Sequence, residues 1–145
     1  MMLPTAAHAA TAAAAAAVPI KDSIVAIYGL LASLLVRKDP KITEELEALD
    51  LSSRVRIVAA VLDDLVELTN YKSIKLAKQD LAATLEDIKA ALERLNALTE
   101  TYSEAYFASW RYGTLQACLC TVVTLSGRLK QRLARLLLLM PLNHL

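Results

Sequence analysis

The chain has 145 residues, 56% of them hydrophobic, and its 16 Lys and Arg nearly balance its 15 Asp and Glu, for a net charge of +1. A charge this close to neutral argues against bulk attraction to nucleic acid or to an anionic membrane. Three Gly and four Pro in a Leu- and Ala-rich chain of this length predict a single, nearly all-helical domain.

Residues 1–19 are rich in alanine, with an unbroken run from Ala12 to Ala17. No Lys or Arg precedes this run, as a secretory signal peptide would require, and the segment lacks the Arg and Ser of an organellar transit peptide. We therefore predict a disordered or fraying tail on an intracellular, cytoplasmic protein.

The first predicted helix covers residues 20–37, and its apolar positions step by four and three residues along one helix face. The uncharged stretch from Ser23 to Val36 is shorter than the roughly 20 residues that cross a bilayer. It therefore predicts a buried core helix rather than a membrane span. The predicted core face consists of Ile20, Ile24, Ile27, Leu31 and Leu34, widened by Tyr28, Leu30 and Leu35.

Two shorter helices are predicted next, over residues 40–50 and 53–69. Asp39 before Pro40 is typical of a helix start, with an N-cap and a proline in the first turn. The segment 51–53 is the predicted joint between the two helices. Their apolar faces are Ile42, Leu46 and Leu49 in the first helix, and Val55, Val58, Val61, Leu62, Leu65, Leu68 and Thr69 in the second.

A long antiparallel hairpin follows, with predicted helices over residues 72–110 and 114–140. Both carry apolar residues at the alternating three- and four-residue spacing of helices packed along each other. The predicted turn is at Tyr112 and Gly113, and weak helix formers at 99–103 predict a bend before it. The first stripe is Ile74, Leu81, Leu85, Ile88, Leu92, Leu95, Thr99, Tyr102 and Tyr106, interrupted by Lys78; the second is Leu115, Leu119, Val122, Ser126, Leu129, Leu133, Leu136 and Met140.

These elements together predict an all-α, up-and-down bundle of four to five helices built around the hairpin. Residues 20–140 are the predicted domain, and 1–19 and 141–145 are tails. So high a hydrophobic content predicts more apolar surface than one small bundle can bury, which favours an oligomer.

The two cysteines, Cys118 and Cys120, lie one residue apart in the last predicted helix. They point about 200° away from each other around a helix axis, so they cannot form an intramolecular disulfide without unwinding it. We predict two buried thiols that pack as small hydrophobic side chains.

Charge is distributed unevenly between the two parts of the chain. Residues 105–145 contain five Lys or Arg and no acid, whereas residues 1–104 contain eleven bases and fifteen acids. The last helix is therefore basic, and the hairpin helix before it is predicted to be acidic.

Three arginines of the last helix, Arg128, Arg132 and Arg135, share one face at 100° per residue. With a turn near residue 112, antiparallel pairing predicts Arg132 beside Glu93 and Arg128 beside Glu100, as ion pairs at the flank of the hairpin. A basic amphipathic helix can instead dock on a protein partner, lie on an anionic membrane or contact nucleic acid.

Two further groups are candidate contacts. The aromatic residues near the predicted turn, Tyr106, Trp110 and Tyr112, either plug the end of the bundle core or anchor a partner, since Trp and Tyr are enriched at binding hot spots. The four consecutive leucines at 136–139 cover every face of the helix, and Leu136 and Leu137 are the candidate contact residues among them.

The sequence carries no signature of catalysis or cofactor binding. The only histidines, His8 and His144, lie near the chain ends, so neither a metal site nor a His-activated nucleophile is predicted. Three scattered glycines form no phosphate-binding loop. We predict a non-enzymatic assembly or scaffold module, with no cofactor and no small-molecule substrate, that binds copies of itself or another helical protein. The alternative is a peripheral membrane protein anchored by the basic amphipathic helix at 125–145.

Overall fold

The computed structural model describes residues 17–36, 40–64, 71–102 and 108–139 of the chain. Within these ranges the chain forms five α-helices and no strand, which confirms the predicted all-α bundle. The helices are α1 (Ala17–Val36), α2 (Pro40–Leu49), α3 (Leu51–Asp64), α4 (Lys72–Tyr102) and α5 (Ala108–Leu139).

The predicted hairpin is formed by α4 and α5, which make the largest helix-to-helix contact of the bundle. The pairing is antiparallel, because Cys118 of α5 lies against Ala91 whereas Arg132, further along α5, reaches back to Thr84. Both predicted stripes face the core. Their buried residues are Ile74, Leu81, Leu85, Ile88, Leu92, Leu95 and Thr99 on α4 and Leu115, Leu119, Val122, Ser126, Leu129 and Leu136 on α5.

The predicted turn at Tyr112 and Gly113 is wrong. The hairpin's first helix ends at Tyr102 and its second begins at Ala108, so the chain changes direction before Trp110. Gly113 is an ordinary helical residue of α5 with a negative φ. A glycine inside a helix costs only about 1 kcal/mol relative to alanine, which a long helix with a continuous core face easily offsets. The weak helix formers just before position 103 mark the true end of α4.

One side of α4 is covered by α1, and the five predicted core residues of α1 are all buried. Ser23 donates a hydrogen bond to the Glu86 carboxylate, and Ser33 Oγ lies 3.3 Å from Asn96 Oδ1. Both pairs join residues separated by the same number of positions, so α1 runs parallel to α4.

The short helices α2 and α3 meet at Asp50, which has a φ of 49°. The predicted joint over 51–53 is therefore one residue too late, and Leu51 is a fully buried residue of the α3 helix. Aspartate tolerates the left-handed conformation better than most residues, and here it lets the chain change direction within one residue. The Asp50 amide donates to Glu47 O at 3.1 Å, and its carbonyl accepts from Arg54 N at 3.1 Å.

A polar contact joins α3 to the hairpin. The Arg54 guanidinium donates to the hydroxyl of Ser126 at 2.7 Å and to its carbonyl at 3.3 Å. Ser126 is fully buried, so this hydrogen bond satisfies the one polar side chain on the core stripe of α5. It places the α3 helix at the middle of α5.

Several predictions lie outside the described residues. They concern the tails at 1–16 and 140–145 with Met140, the N-cap at Asp39, and the end of the third predicted helix. The residues concerned in that helix are Leu65, Leu68 and Thr69.

Candidate interaction surface

The C-terminal half of α5 presents an exposed face that no other part of the described chain covers. Arg128, Gln131, Arg135 and Leu138 are all exposed, and their spacing of three, four and three residues places them side by side. Leu138 is 76% exposed, an unusual state for a leucine next to charged side chains. We call these four residues the α5 outer face.

The four consecutive leucines divide between core and surface. Leu136 is fully buried and belongs to the hairpin core, so as a candidate contact residue it has no surface to offer. Leu137 is 41% exposed at the other edge of the helix, beside the exposed Lys130. A single packing seam therefore uses one of the four leucines fully, and two remain in contact with solvent.

The three candidate arginines have different surroundings. Arg132 is half-buried, and its guanidinium donates to the hydroxyl of Thr84 and, at 3.1 Å, to the carbonyl of Asp80. Thr84 is fully buried and donates its own hydroxyl proton to the same carbonyl at 2.8 Å. Arg132 therefore holds α5 against α4 and is part of the fold.

The predicted contact of Arg132 with Glu93 is wrong, because the direction of the chain changes earlier than predicted. With α5 starting at Ala108, the residues opposite Arg132 lie more than two turns closer to the start of α4. An arginine does meet α4 there, but its partners are a hydroxyl and a carbonyl in place of a carboxylate.

Arg128 and Arg135 make no hydrogen bond or ion pair within the described part of the chain, and both are exposed. Their guanidinium groups are therefore available to a partner. Arginine suits such a role because its planar fork binds carboxylates through two hydrogen bonds.

An acidic surface lies elsewhere on the molecule. The α4 helix, which was predicted to be acidic, carries five bases and five acids. The acid excess belongs instead to residues 40–64, with six acids and three bases. Its exposed acidic residues are Glu44, Glu47, Asp50, Asp63 and Asp64. The described chain thus has one basic helix and one acidic helix pair, both exposed to solvent.

The candidate aromatic residues are only partly placed. Trp110 and Tyr112 lie in the first turns of the α5 helix, not at a turn between helices. Tyr106 and the side chains of all three lie outside the described residues. Their role as a core plug or a partner anchor stays a prediction.

A shallow groove of about 440 Å³ runs between α4 and α5 on one flank of the hairpin. Small side chains line most of it, and Asp87 and Arg94 stand on its α4 side. Cys118 closes the floor, with its Sγ 3.5 Å from Ala91 O. The prediction of two buried thiols is half wrong: Cys118 is buried and Cys120 is exposed. Positions 200° apart cannot both face one core.

We expect the two thiols to react at very different rates. Burial raises the pKa of the Cys118 thiol above its ordinary value, and the nearby Arg94 guanidinium opposes that effect only in part. Fewer thiolates and little access should slow maleimide labelling of Cys118 at least about tenfold relative to Cys120 at a pH of about 7.5. Mass spectrometry of Cys118→Ala and Cys120→Ala proteins measures each thiol alone. Equal rates in the folded proteins, with denatured samples as reference, would contradict the buried position of Cys118.

Two searches of the described residues bear on other functions. No three His, Cys, Asp or Glu side chains come together there in a group able to hold a metal ion. None of the helices, over their described lengths, combines the length and apolar character needed to cross a membrane.

Comparison with known proteins supplies no relative: no family model matches the chain, and no curated protein or solved structure matches it significantly. Function must therefore be inferred from the surfaces of the molecule.

Sequence reasoning missed one surface. Val25 and Val36 on α1 are 69% and 76% exposed, although α1 was predicted to be a buried core helix. A second four-three-four spacing in the same segment, offset from the core stripe, is the signal that could have revealed it.

Proposed function

We propose that this protein is a non-enzymatic helical assembly module that associates with copies of itself, and with other helical proteins of similar acidic character, through the α5 outer face. The observation that carries this proposal is the exposure of Arg128, Arg135 and Leu138 on one side of a helix whose opposite side forms the hairpin core. Two unpaired arginines and an exposed leucine on one face are typical of a helix that docks against another protein.

Charge complementarity supports a second copy as the partner. The α2 and α3 helices carry the acid excess of the described chain, and Glu44 and Glu47 are exposed one turn apart on α2. A basic face and an acidic face on different parts of the same molecule attract each other between copies. Such a contact joins unlike surfaces, so it extends into a ring or a chain of subunits.

The test is the solution mass of the full chain, measured by light scattering on a sizing column at about 0.05 M and about 0.5 M salt. We expect association that weakens at high salt. Arg128→Glu with Arg135→Glu should weaken it at least about tenfold, or by about 1.4 kcal/mol or more, because both arginines would face acids as acids.

A charge exchange provides the matched control. Glu44→Lys with Glu47→Lys should block association from the acidic side. Mixing this variant with the Arg128→Glu, Arg135→Glu variant should restore it, because acidic α5 then meets basic α2. Unchanged melting temperatures would establish that each variant is folded. A mixture that stays monomeric, or arginine variants that associate normally, would refute the proposed pairing.

The same proteins separate this proposal from a membrane anchor. Binding to vesicles of phosphatidylcholine with about 30% phosphatidylserine, lost in the arginine variant, would overturn the proposal if the chain itself stayed monomeric at all concentrations. Leu138 and Arg135 would then contact lipid instead of protein.

A further inference from the structure

The outward face of α1 carries an apolar stripe distinct from the surfaces of the proposed function. Val25, Gly29, Ala32 and Val36 are all exposed and follow one another at spacings of four, three and four residues. At 100° per residue they span an arc of only about 60°. The buried core stripe of α1 has the same rhythm on the opposite side, so α1 carries two helix-packing faces and its own bundle covers one.

This stripe is uncharged, although it faces solvent. No Asp, Glu, Lys or Arg occurs between Ser23 and Val36. A surface helix normally carries charged residues opposite its core face, whereas a helix that is apolar or uncharged all round is covered on both sides. A charged partner would lose its hydration against such a face without gaining a hydrogen bond, so another uncharged face fits it best.

The order of residues along the stripe is the same in both directions. Valines occupy the two ends and small residues the two central positions, at a spacing that is symmetric about its midpoint. In an antiparallel pair related by a two-fold axis, Val25 would face the partner's Val36 and Gly29 would face the partner's Ala32. Large side chains then meet each other at both ends, and small ones meet at the centre. A self-complementary surface of this kind is what a two-fold contact requires.

Gly29 allows the close approach that such a pair needs. No neighbouring group lies within 4 Å of the position that a Cβ would occupy there. The absence of a side chain at this exposed helix position therefore serves no contact inside the bundle, although glycine weakens a helix. Against a second helix, the missing side chain lets the two backbones come together.

We infer that two copies of this chain pair antiparallel through the outer faces of their α1 helices. This contact uses neither the α5 outer face nor the acidic helices, so it can exist whether or not those surfaces associate. Three turns of one helix bury less than the roughly 1,200 Å² below which protein contacts are weak and transient. The dimer should therefore form with a Kd in the micromolar to millimolar range, independent of salt.

The experiment uses the full chain with Arg128→Glu and Arg135→Glu, which removes the charged association, followed by sedimentation equilibrium. We expect a monomer–dimer equilibrium whose Kd rises at least about tenfold with Gly29→Gln. The same change should raise the melting temperature of the monomer, because glutamine favours a helix and has open space at this position. A gain in stability with a loss of association cannot come from misfolding.

Paired charges test the antiparallel order. Val25→Glu with Val36→Glu should give a monomer, because acids would face acids at both ends. Val25→Glu with Val36→Lys should dimerise at about 0.1 M salt, because each acid would face the partner's lysine. In a parallel pair the second variant would place like charges together.

Three outcomes overturn the inference. They are a strictly monomeric parent at about millimolar concentration, a Gly29→Gln protein with unchanged Kd, and a Val25→Glu, Val36→Lys protein that stays monomeric. Binding of the parent to uncharged phosphatidylcholine vesicles, lost with Val25→Glu and Val36→Glu, would also overturn it by assigning the stripe to lipid. Failure here leaves the salt-dependent association of the charge-exchange proteins unaffected, so the two proposals are tested separately.

Discussion

Leu92→Ala is expected to lower the free energy of unfolding by about 2–5 kcal/mol, the range for truncating a fully buried leucine in a core that relaxes only in part. Leu92 has no exposed surface and lies in the middle of the α4 stripe. The measurement is urea denaturation followed by circular dichroism at several protein concentrations, so that association does not contribute.

Leu76→Ala is the matched control, since it makes the same chemical change on the same helix. Leu76 is 52% exposed, and its truncation should change the free energy of unfolding by no more than about 0.5–1 kcal/mol. Similar losses for the two variants would mean that α4 presents a different face to the core than the structure describes.

Thr84 and Arg132 are expected to be energetically coupled across the hairpin. Thr84→Val removes the hydroxyl that accepts from the Arg132 guanidinium, and each single change should cost about 1–3 kcal/mol because a buried or half-buried polar group loses its partner. Arg132→Met retains most of the aliphatic stem. The double variant should cost less than the sum of the single changes, by about 0.5–3 kcal/mol in a double-mutant cycle.

A second cycle discriminates between the two registers of the hairpin. A turn at Gly113 would place Arg132 beside Glu93, so Glu93→Gln would couple to Arg132→Met. The structure places Arg132 against Thr84 and Asp80, and the Glu93 cycle should therefore be additive within about 0.5 kcal/mol. Coupling to Glu93 without coupling to Thr84 would show that the register in solution is the other one.

This result would also define how the arginines divide between fold and function. Arg132 donates to groups within its own hairpin, whereas Arg128 and Arg135 lie exposed without such partners in the described chain. A variant that changes all three together combines a loss of stability with a loss of binding. The interaction experiments therefore change Arg128 and Arg135 alone.

The spacing of apolar residues was enough to predict the fold class and the core. The stripes on α1, α4 and α5 are buried as predicted, because a helix has one period and a residue's position along the chain decides which face it occupies. The near absence of Gly and Pro within the predicted helices had the same consequence for helix content.

Local signals were less able to locate the ends of helices. Gly113 reads as a turn in isolation, but it lies inside the α5 helix, whose core face runs on from Leu115. Asp50 carries no sequence mark that distinguishes it from other aspartates, yet it adopts the left-handed conformation at which α2 and α3 meet. Helix ends depend on small differences in free energy, which packing of the flanking helices can reverse.

The amino-acid sequence by itself determined the five helices' core faces, the one-sided charge of α5 and the uncharged character of α1, because each of these follows from residue type and a fixed helical period. Only the tertiary structure decided the register of the hairpin, the separation of Arg132 from Arg128 and Arg135, the location of the acid excess on α2 and α3, and the exposure of Val25 and Val36. These features depend on which helices lie side by side and at what offset, and contacts between residues distant in sequence set that arrangement.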